Sequence, residues 1–120
     1  MSAHRPLVAA AAVLGFLGIL LGAFGAHALN LEGKPLEWWH TASQYHLVHT
    51  LAALSAALLG APRSGWLFVA GTVVFSGSLY VMALTNVTIL GAITPIGGVL
   101  YLVGWGMLAY SALKSRPEPT

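Results

Sequence analysis

The sequence predicts an all-α membrane protein that folds as a single domain, a bundle of four transmembrane helices. Of its 120 residues, 58% are hydrophobic and 7% are charged. A water-soluble domain carries about 25% charged residues, so this composition does not suit a surface that faces water. The formal charges also fall between long apolar stretches, and a stretch of about 18 or more such residues is typical of a helix that crosses a bilayer.

Four apolar stretches define the predicted spans, which are approximately residues 7–29, 41–59, 65–84 and 95–113. The first stretch also has features of a signal peptide, since Arg5 precedes it and Ala26-His27-Ala28 fits a cleavage pattern. Its apolar run is longer than the apolar region of a signal peptide, which has about 7–15 residues, so we predict a retained helix. Residues 87–93 are apolar but too short to cross, and we expect them to fold back at the interface.

The distribution of basic residues predicts the orientation of the chain. Four spans place both chain ends on one side, together with Arg5, Arg63, Lys114 and Arg116, whereas the other side holds only Lys34. Basic residues accumulate in the cytoplasmic segments of membrane proteins. We therefore predict that both termini lie in the cytoplasm or an equivalent inner compartment.

The residue inventory also excludes several classes of chemistry. The chain has no cysteine, which excludes disulfides, thiolate metal sites and iron–sulfur clusters. Its five basic residues are dispersed, so we predict no nucleic-acid surface. We find no paired carboxylates, no Ser/His/Asp set within the spans, no P-loop and no dinucleotide motif, and we therefore predict that the protein is not an enzyme.

Small residues form stripes along the predicted helices. In the first span they recur at alternating intervals of four and three residues, and the second span repeats this spacing on the face that carries His46 and His49. Such stripes allow helix backbones to approach closely in lipid, so we expect the two faces to meet, although the first stripe is equally suited to a homodimer. The predicted packing positions are Gly15, Gly18, Gly22, Gly25, Ala53, Ala56, Gly60, Pro95, Gly97 and Gly98.

Polar residues concentrate in the outer half of the predicted bundle. His46 and His49 are three residues apart and share a helix face, and His27 lies at a similar depth on the neighbouring helix. Ionisable groups inside a membrane are costly, which makes them candidates for function. The candidate polar pocket consists of His27, Gln44, Tyr45, His46, His49, Ser76, Ser78, Tyr80 and Thr94.

Three interpretations of this pocket compete. Neutral imidazoles suit a structural network of hydrogen bonds between helices. Imidazoles also bind metals and haem, which makes His27, His46 and His49 candidate ligands, but no carboxylate lies within the spans to orient them. A proton or small-solute pathway is the third possibility, although the inner half offers few polar groups. We predict no bound cofactor.

Segments in all four predicted spans resemble a known family. They are the GAFGAH segment that ends at His27, the QYH segment from Gln44 to His46 followed by His49, the FSGSLY segment at residues 75–80, and the LGAITPIGG segment at residues 90–98 followed by Gly104-Trp105. Together they resemble the YgdD/YwdK-like small integral membrane proteins (domain of unknown function 423) over nearly the whole chain. Ala28 departs from the glycine expected after the histidine.

The resemblance implies a protein of the bacterial inner membrane or of the mitochondrial inner membrane in a eukaryote, and it supplies no activity, substrate or cofactor. We therefore predict a non-enzymatic structural or accessory membrane component. Its expected partners are the lipid bilayer and a second copy or a larger membrane complex. The alternative is a small-solute or proton transporter, or a metal-binding protein, that uses the histidine pocket.

Overall fold

The computed structural model describes residues 4–114, which are helical apart from short connections. The helices are α1 (Arg5–His27), α2 (Gly33–Leu58), α3 (Pro62–Thr85) and α4 (Thr94–Lys114). A short 3-10 helix, Thr88–Ala92, precedes α4 and occupies the segment that is too short to cross. The prediction of an all-α protein is confirmed, and Arg116 lies outside the described residues.

Three stretches of the described chain are long and apolar enough to cross a membrane. They are α1, α3 and the stretch Thr88–Lys114, which contains α4. Among the described α-helices, α2 is not apolar enough to qualify as a span, because Gln44, His46 and His49 interrupt its central part. Whether α2 also crosses therefore depends on where its polar side chains lie.

The helices are antiparallel, with α2 and α3 as the central pair. α1 packs mainly on α2, and α4 packs on α3. Leu7 near the start of α1 packs on Gly65 near the start of α3, and Gly104 in the middle of α4 packs on Phe68 early in α3, so that the second half of α4 runs towards the start of α3. The first turn of α1, the α2–α3 turn and the last turn of α4 therefore lie together, and we name this the terminal end. The α1–α2 connection and the 3-10 helix lie at the opposite, loop end.

A glycine turn joins the two central helices. The amide of Gly60 donates to the Ala57 carbonyl and that of Ala61 donates to the Ala56 carbonyl. This pair of hydrogen bonds defines a Schellman motif. Gly60 has a φ of 76°, a conformation that favours glycine. No heavy atom lies within 4 Å of a Cβ built on Gly60. Gly60 therefore closes the turn, in contrast to its predicted role in helix packing.

α2 begins at Gly33, well before the predicted start of the span at residue 41. Lys34 and Glu37 lie on its first turns, where their exposed side chains form an ion pair at 3.8 Å. Their charges exclude these turns from an apolar run without preventing a helix, because a helix can extend beyond the hydrocarbon core. The same extension carries Trp39, which is 2% exposed, into the core at the loop end.

Candidate functional site

His46 joins three helices from the middle of α2. Its Nε2 lies 2.7 Å from the carbonyl oxygen of Leu14 in α1, and its Nδ1 lies 2.9 Å from the hydroxyl of Tyr80 in α3. The side chain is buried, with 3% of its surface exposed. We name His46, Tyr80 and the Leu14 carbonyl the α1-side cluster.

The partners of His46 define its tautomer. A carbonyl oxygen accepts and never donates, so the hydrogen must lie on Nε2. In a neutral imidazole the other nitrogen then accepts, so the Tyr80 hydroxyl donates to Nδ1. Both nitrogens are occupied, and the imidazole needs no further ligand.

Glycine makes this contact with the α1 backbone possible. A Cβ on Gly18 would lie 2.6 Å from Cδ2 of Leu47 and 3.2 Å from Nε2 of His46. A larger residue at this position would therefore force the Leu47 side chain and the His46 imidazole to shift. Gly25 serves Trp39 in the same way, because the indole Nε1 passes over this glycine and donates to the Leu21 carbonyl at 3.1 Å.

His49 lies one turn further along α2 and contacts α4 instead. Its Nδ1 lies 3.0 Å from the Tyr45 carbonyl in the preceding turn, and the indole Nε1 of Trp105 donates to its Nε2 at 3.0 Å. The ring stacks on that of Tyr101, with 3.6 Å between centroids and 11° between planes. We name His49, Trp105 and Tyr101 the α4-side cluster.

His49 is the opposite tautomer to His46. Its Nδ1 faces a carbonyl and so carries the hydrogen, whereas its Nε2 accepts from an indole, which only donates. A proton added at Nε2 would place two donors against each other. Tyr101 extends the cluster into α3, because its hydroxyl donates to Thr72 Oγ1 at 2.9 Å.

The remaining polar residues of the predicted pocket divide into two groups. Ser76 donates to the Ala42 carbonyl at 2.7 Å and ties α3 to α2. The hydroxyls of Ser78 and Thr94 lie 2.6 Å apart and tie α3 to the start of α4. In contrast, His27 and Gln44 are exposed; His27 ends α1, whereas Gln44 lines a small groove together with His49.

The structure thus divides the predicted pocket into separate hydrogen-bonded contacts between helices. His27 is exposed as the last residue of α1, whereas His46 and His49 are buried against different helices. Among residues 4–114, no three histidine or carboxylate side chains are arranged to hold a metal ion. The three candidate ligands therefore do not converge on one point.

The predicted packing positions also separate by what they touch. Gly15 lies within ordinary contact of the Thr50 methyl group, and Gly97 packs so closely on Phe75 that a Cβ would overlap its backbone. Ala53 and Ala56 are fully buried in the core at the terminal end. No heavy atom lies within 4 Å of a Cβ on Gly22 or Gly98, so neither position requires glycine for close packing, and Pro95 is exposed.

Sequence reasoning missed Trp105, Tyr101 and Thr72 as members of the site. Tyr101 lies four residues after Gly97 and three before Gly104, and all three are buried on one face of α4. That spacing is a usable signal for the face that packs on α3. The contact between Trp105 and His49 spans 56 residues of sequence, and no local pattern indicates it.

Each cluster lies beside a groove on the outside of the bundle. A groove of about 190 Å³ between α1 and α3 contains His46 and Tyr80 among leucine and valine side chains. A larger groove of about 470 Å³ between α2 and α4 is lined by Tyr45, Tyr101, Trp105 and neighbouring residues. We name the second the aromatic groove.

Comparison with known proteins gives a consistent result. A family model described as a protein of unknown function (DUF423) matches residues 21–98. The UPF0382 membrane protein YwdK of Bacillus subtilis is 44% identical over 113 residues, which cover 86% of this chain and 92% of YwdK. The UPF0382 inner membrane protein YgdD of Escherichia coli is 39% identical over 115 residues, which cover 88% of each chain.

A third relative, the UPF0382 membrane protein SERP0230 of Staphylococcus epidermidis, is 46% identical over 114 residues, covering 85% of this chain and 93% of the relative. No solved structure matches the chain. The family model covers more than half of the chain, and the relatives are similar over most of their length. The chain therefore belongs to the DUF423 family, the UPF0382 membrane proteins of unknown function.

Proposed function

We propose that the protein is a non-enzymatic structural or accessory component of the bacterial inner membrane. One observation carries this proposal: the four ring nitrogens of His46 and His49 all have partners within the chain. Imidazoles paired in this way hold helices in register. Because every ring nitrogen is already hydrogen-bonded, none is free to bind a metal ion or to accept a transported proton. The inner-membrane location is supported by the name of YgdD.

We further propose that α2 is the fourth span and that both termini lie in the cytoplasm. The polar side chains His46, His49 and Thr50 are buried between helices, Gln44 is exposed nearer the loop end, and Val48 and Leu51 face outwards. Its 26 residues give a length of about 39 Å, enough to cross. Arg5, Arg63 and Lys114 at the terminal end support the orientation through the positive-inside rule.

Cysteine labelling tests this topology directly, because the native chain has no cysteine. We expect Glu32→Cys at the loop end to react with a membrane-impermeant maleimide in intact cells. We expect Arg5→Cys at the terminal end to react only after the membrane is opened. Labelling of both positions from the same side would contradict the four-span topology.

Metal and haem analysis tests the structural role of the histidines. The protein is purified in mild detergent beside His46→Ala/His49→Ala and a control, His40→Ala, which alters an exposed histidine. We expect no stoichiometric metal or haem in any sample, and a lower unfolding temperature only in the double variant. Stoichiometric metal that is lost in the double variant would contradict the proposal, as would substrate turnover or transport by the purified protein.

We propose that the membrane partner of the protein, a second copy or a larger complex, covers the aromatic groove. The support is that bulky aromatic side chains line a groove of about 470 Å³ that the chain itself leaves open. Crosslinking in membranes through Val99→Cys inside the groove is compared with Phe16→Cys on the outer face of α1. We expect an adduct from Val99→Cys only, and its mass distinguishes a second copy from another protein. No adduct would contradict the proposed partner.

A further inference from the structure

A cavity of about 400 Å³ lies at the terminal end, outside both histidine clusters. Its walls are the α2–α3 turn, the first turn of α3 and the last turns of α4, and they include Arg63, Ser64, Met107 and Tyr110. One wall therefore carries the basic Arg63 and the polar Ser64, and the other, from α4, carries Met107, Tyr110 and the polar Ser111.

The first turn of α3 lines this cavity and contains backbone amides that have no acceptor within the helix. Ala61 is the N-cap and makes no capping hydrogen bond, and Pro62 has no N–H. The first amide that bonds within the helix is that of Gly65, to the Ala61 carbonyl at 3.2 Å. The amides of Arg63 and Ser64 therefore lack an acceptor within the helix, which is the arrangement that binds anions at helix N-termini.

Ser64 supplies a second and independent observation. The residue is 2% exposed and lines the cavity. Among residues 4–114, none of the hydrogen bonds found involves its hydroxyl, and the hydroxyl is not among the fully enclosed polar atoms. A buried polar group is normally paired, so this hydroxyl is available to a ligand in the cavity.

Within residues 4–114, the charged side chains around the cavity are basic. Arg63 lines the cavity, and Lys114 lies beside it, with its Nζ 5.3 Å from the centroid of the Tyr110 ring. The carboxylates within residues 4–114 are Glu32 and Glu37, and both lie at the loop end. No described carboxylate therefore competes with an anion for Arg63.

We propose that this cavity binds the phosphate group of an anionic phospholipid. The phosphate oxygens would accept hydrogen bonds from the Arg63 guanidinium, the Ser64 hydroxyl and the two free amides, as basic pockets between transmembrane helices do for lipid head groups. The glycerol and the upper acyl chain pack on Met107 and Tyr110, which is why a lipid is favoured over a free phosphate. The site is additional to the proposed accessory function and does not depend on it.

Lipid binding by variant proteins tests this proposal. Dioleoyl phosphatidylglycerol is added to the purified full-length protein in detergent, and retained lipid is measured by native mass spectrometry, with dioleoyl phosphatidylcholine as the neutral comparison. We expect preferential retention of phosphatidylglycerol and a loss of about fivefold in its affinity in Arg63→Gln. Arg5→Gln is the matched control, because it removes a charge at the same end without altering the cavity wall.

Each outcome decides for or against the site. A similar loss in Arg63→Gln and Arg5→Gln would overturn the proposal in favour of diffuse attraction, and so would equal retention of the two lipids. Ser64→Ala keeps every charge, and we expect it to weaken phosphatidylglycerol binding with unchanged helix content. Unchanged binding in Ser64→Ala would overturn the cavity as the site. Displacement of the lipid by millimolar inorganic phosphate would overturn the lipid as occupant and assign the cavity to a soluble anion.

Discussion

The two buried histidines lie three residues apart on α2, yet they attach it to its neighbours by different means. His46 in the α1-side cluster contacts the backbone carbonyl of Leu14, and this contact requires a residue without a side chain at position 18 of α1, which is Gly18. His49 in the α4-side cluster accepts from the indole of Trp105 and stacks on Tyr101. One contact depends on a missing side chain, and the other depends on large side chains.

This difference implies opposite sensitivities to mutation. A contact with a backbone acceptor fails when an added atom separates the helices, because a packed interior yields little to extra volume. A contact built from aromatic rings fails when a ring is removed, because the surrounding side chains do not fill the space. Three comparisons of variants test this contrast.

The largest expected effect is removal of the central ring of the α4-side cluster. Tyr101 is 4% exposed, so Tyr101→Ala leaves a cavity beside His49 and should lower the free energy of unfolding by about 3–5 kcal/mol. Denaturant titration in detergent measures this change. Tyr110→Ala removes an exposed ring from the same helix, and an equal loss there would show that the Tyr101 effect is not specific to the cluster.

The addition of one methyl group should disturb the α1-side cluster. In Gly18→Ala the new Cβ lies 2.6 Å from Leu47 Cδ2, and we expect a loss of about 1–3 kcal/mol in the same titration. Gly22→Ala, one turn further along α1, meets no atom within 4 Å and should be neutral or slightly stabilising. Equal behaviour of the two variants would contradict the dependence of this contact on Gly18.

The loss of one hydrogen bond should have the smallest effect. Tyr80→Phe leaves Nδ1 of His46 without its donor, and we expect a loss of about 1 kcal/mol in the free energy of unfolding. Tyr45→Phe changes a half-exposed phenol and provides the control. No difference between the two variants would show that the Tyr80 hydroxyl does not hold the neutral His46.

The helical architecture could be predicted from the sequence because lipid excludes charge, so the intervals between charged residues mark the helices. The start of α2 could not be predicted in this way. Lys34 and Glu37 interrupt the apolar run, but their exposed side chains let the helix begin outside the apolar core. An apolar run therefore marks the part of a helix that suits lipid and does not mark where the helix begins.

The site could be predicted only in part. His46 and His49 follow from the cost of polar groups in lipid, since both must be buried and paired. The same cost would predict that His27 is buried, but His27 is the last residue of α1 and is exposed there. The assignment of Trp105 to His49 depends on how α4 rotates against α2, and that rotation results from packing on α3 through Gly97 and Gly104.

We infer from their hydrogen bonds that both buried histidines are neutral and are held as opposite tautomers by their partners. Nitrogen-15 NMR of histidine-labelled protein in detergent tests it most directly, with His46→Asn and His49→Asn used to assign the signals. We expect His46 to carry its hydrogen on Nε2 and His49 on Nδ1, with neither imidazole doubly protonated. Identical tautomers, a doubly protonated ring or a metal-shifted nitrogen at either position would contradict the claim.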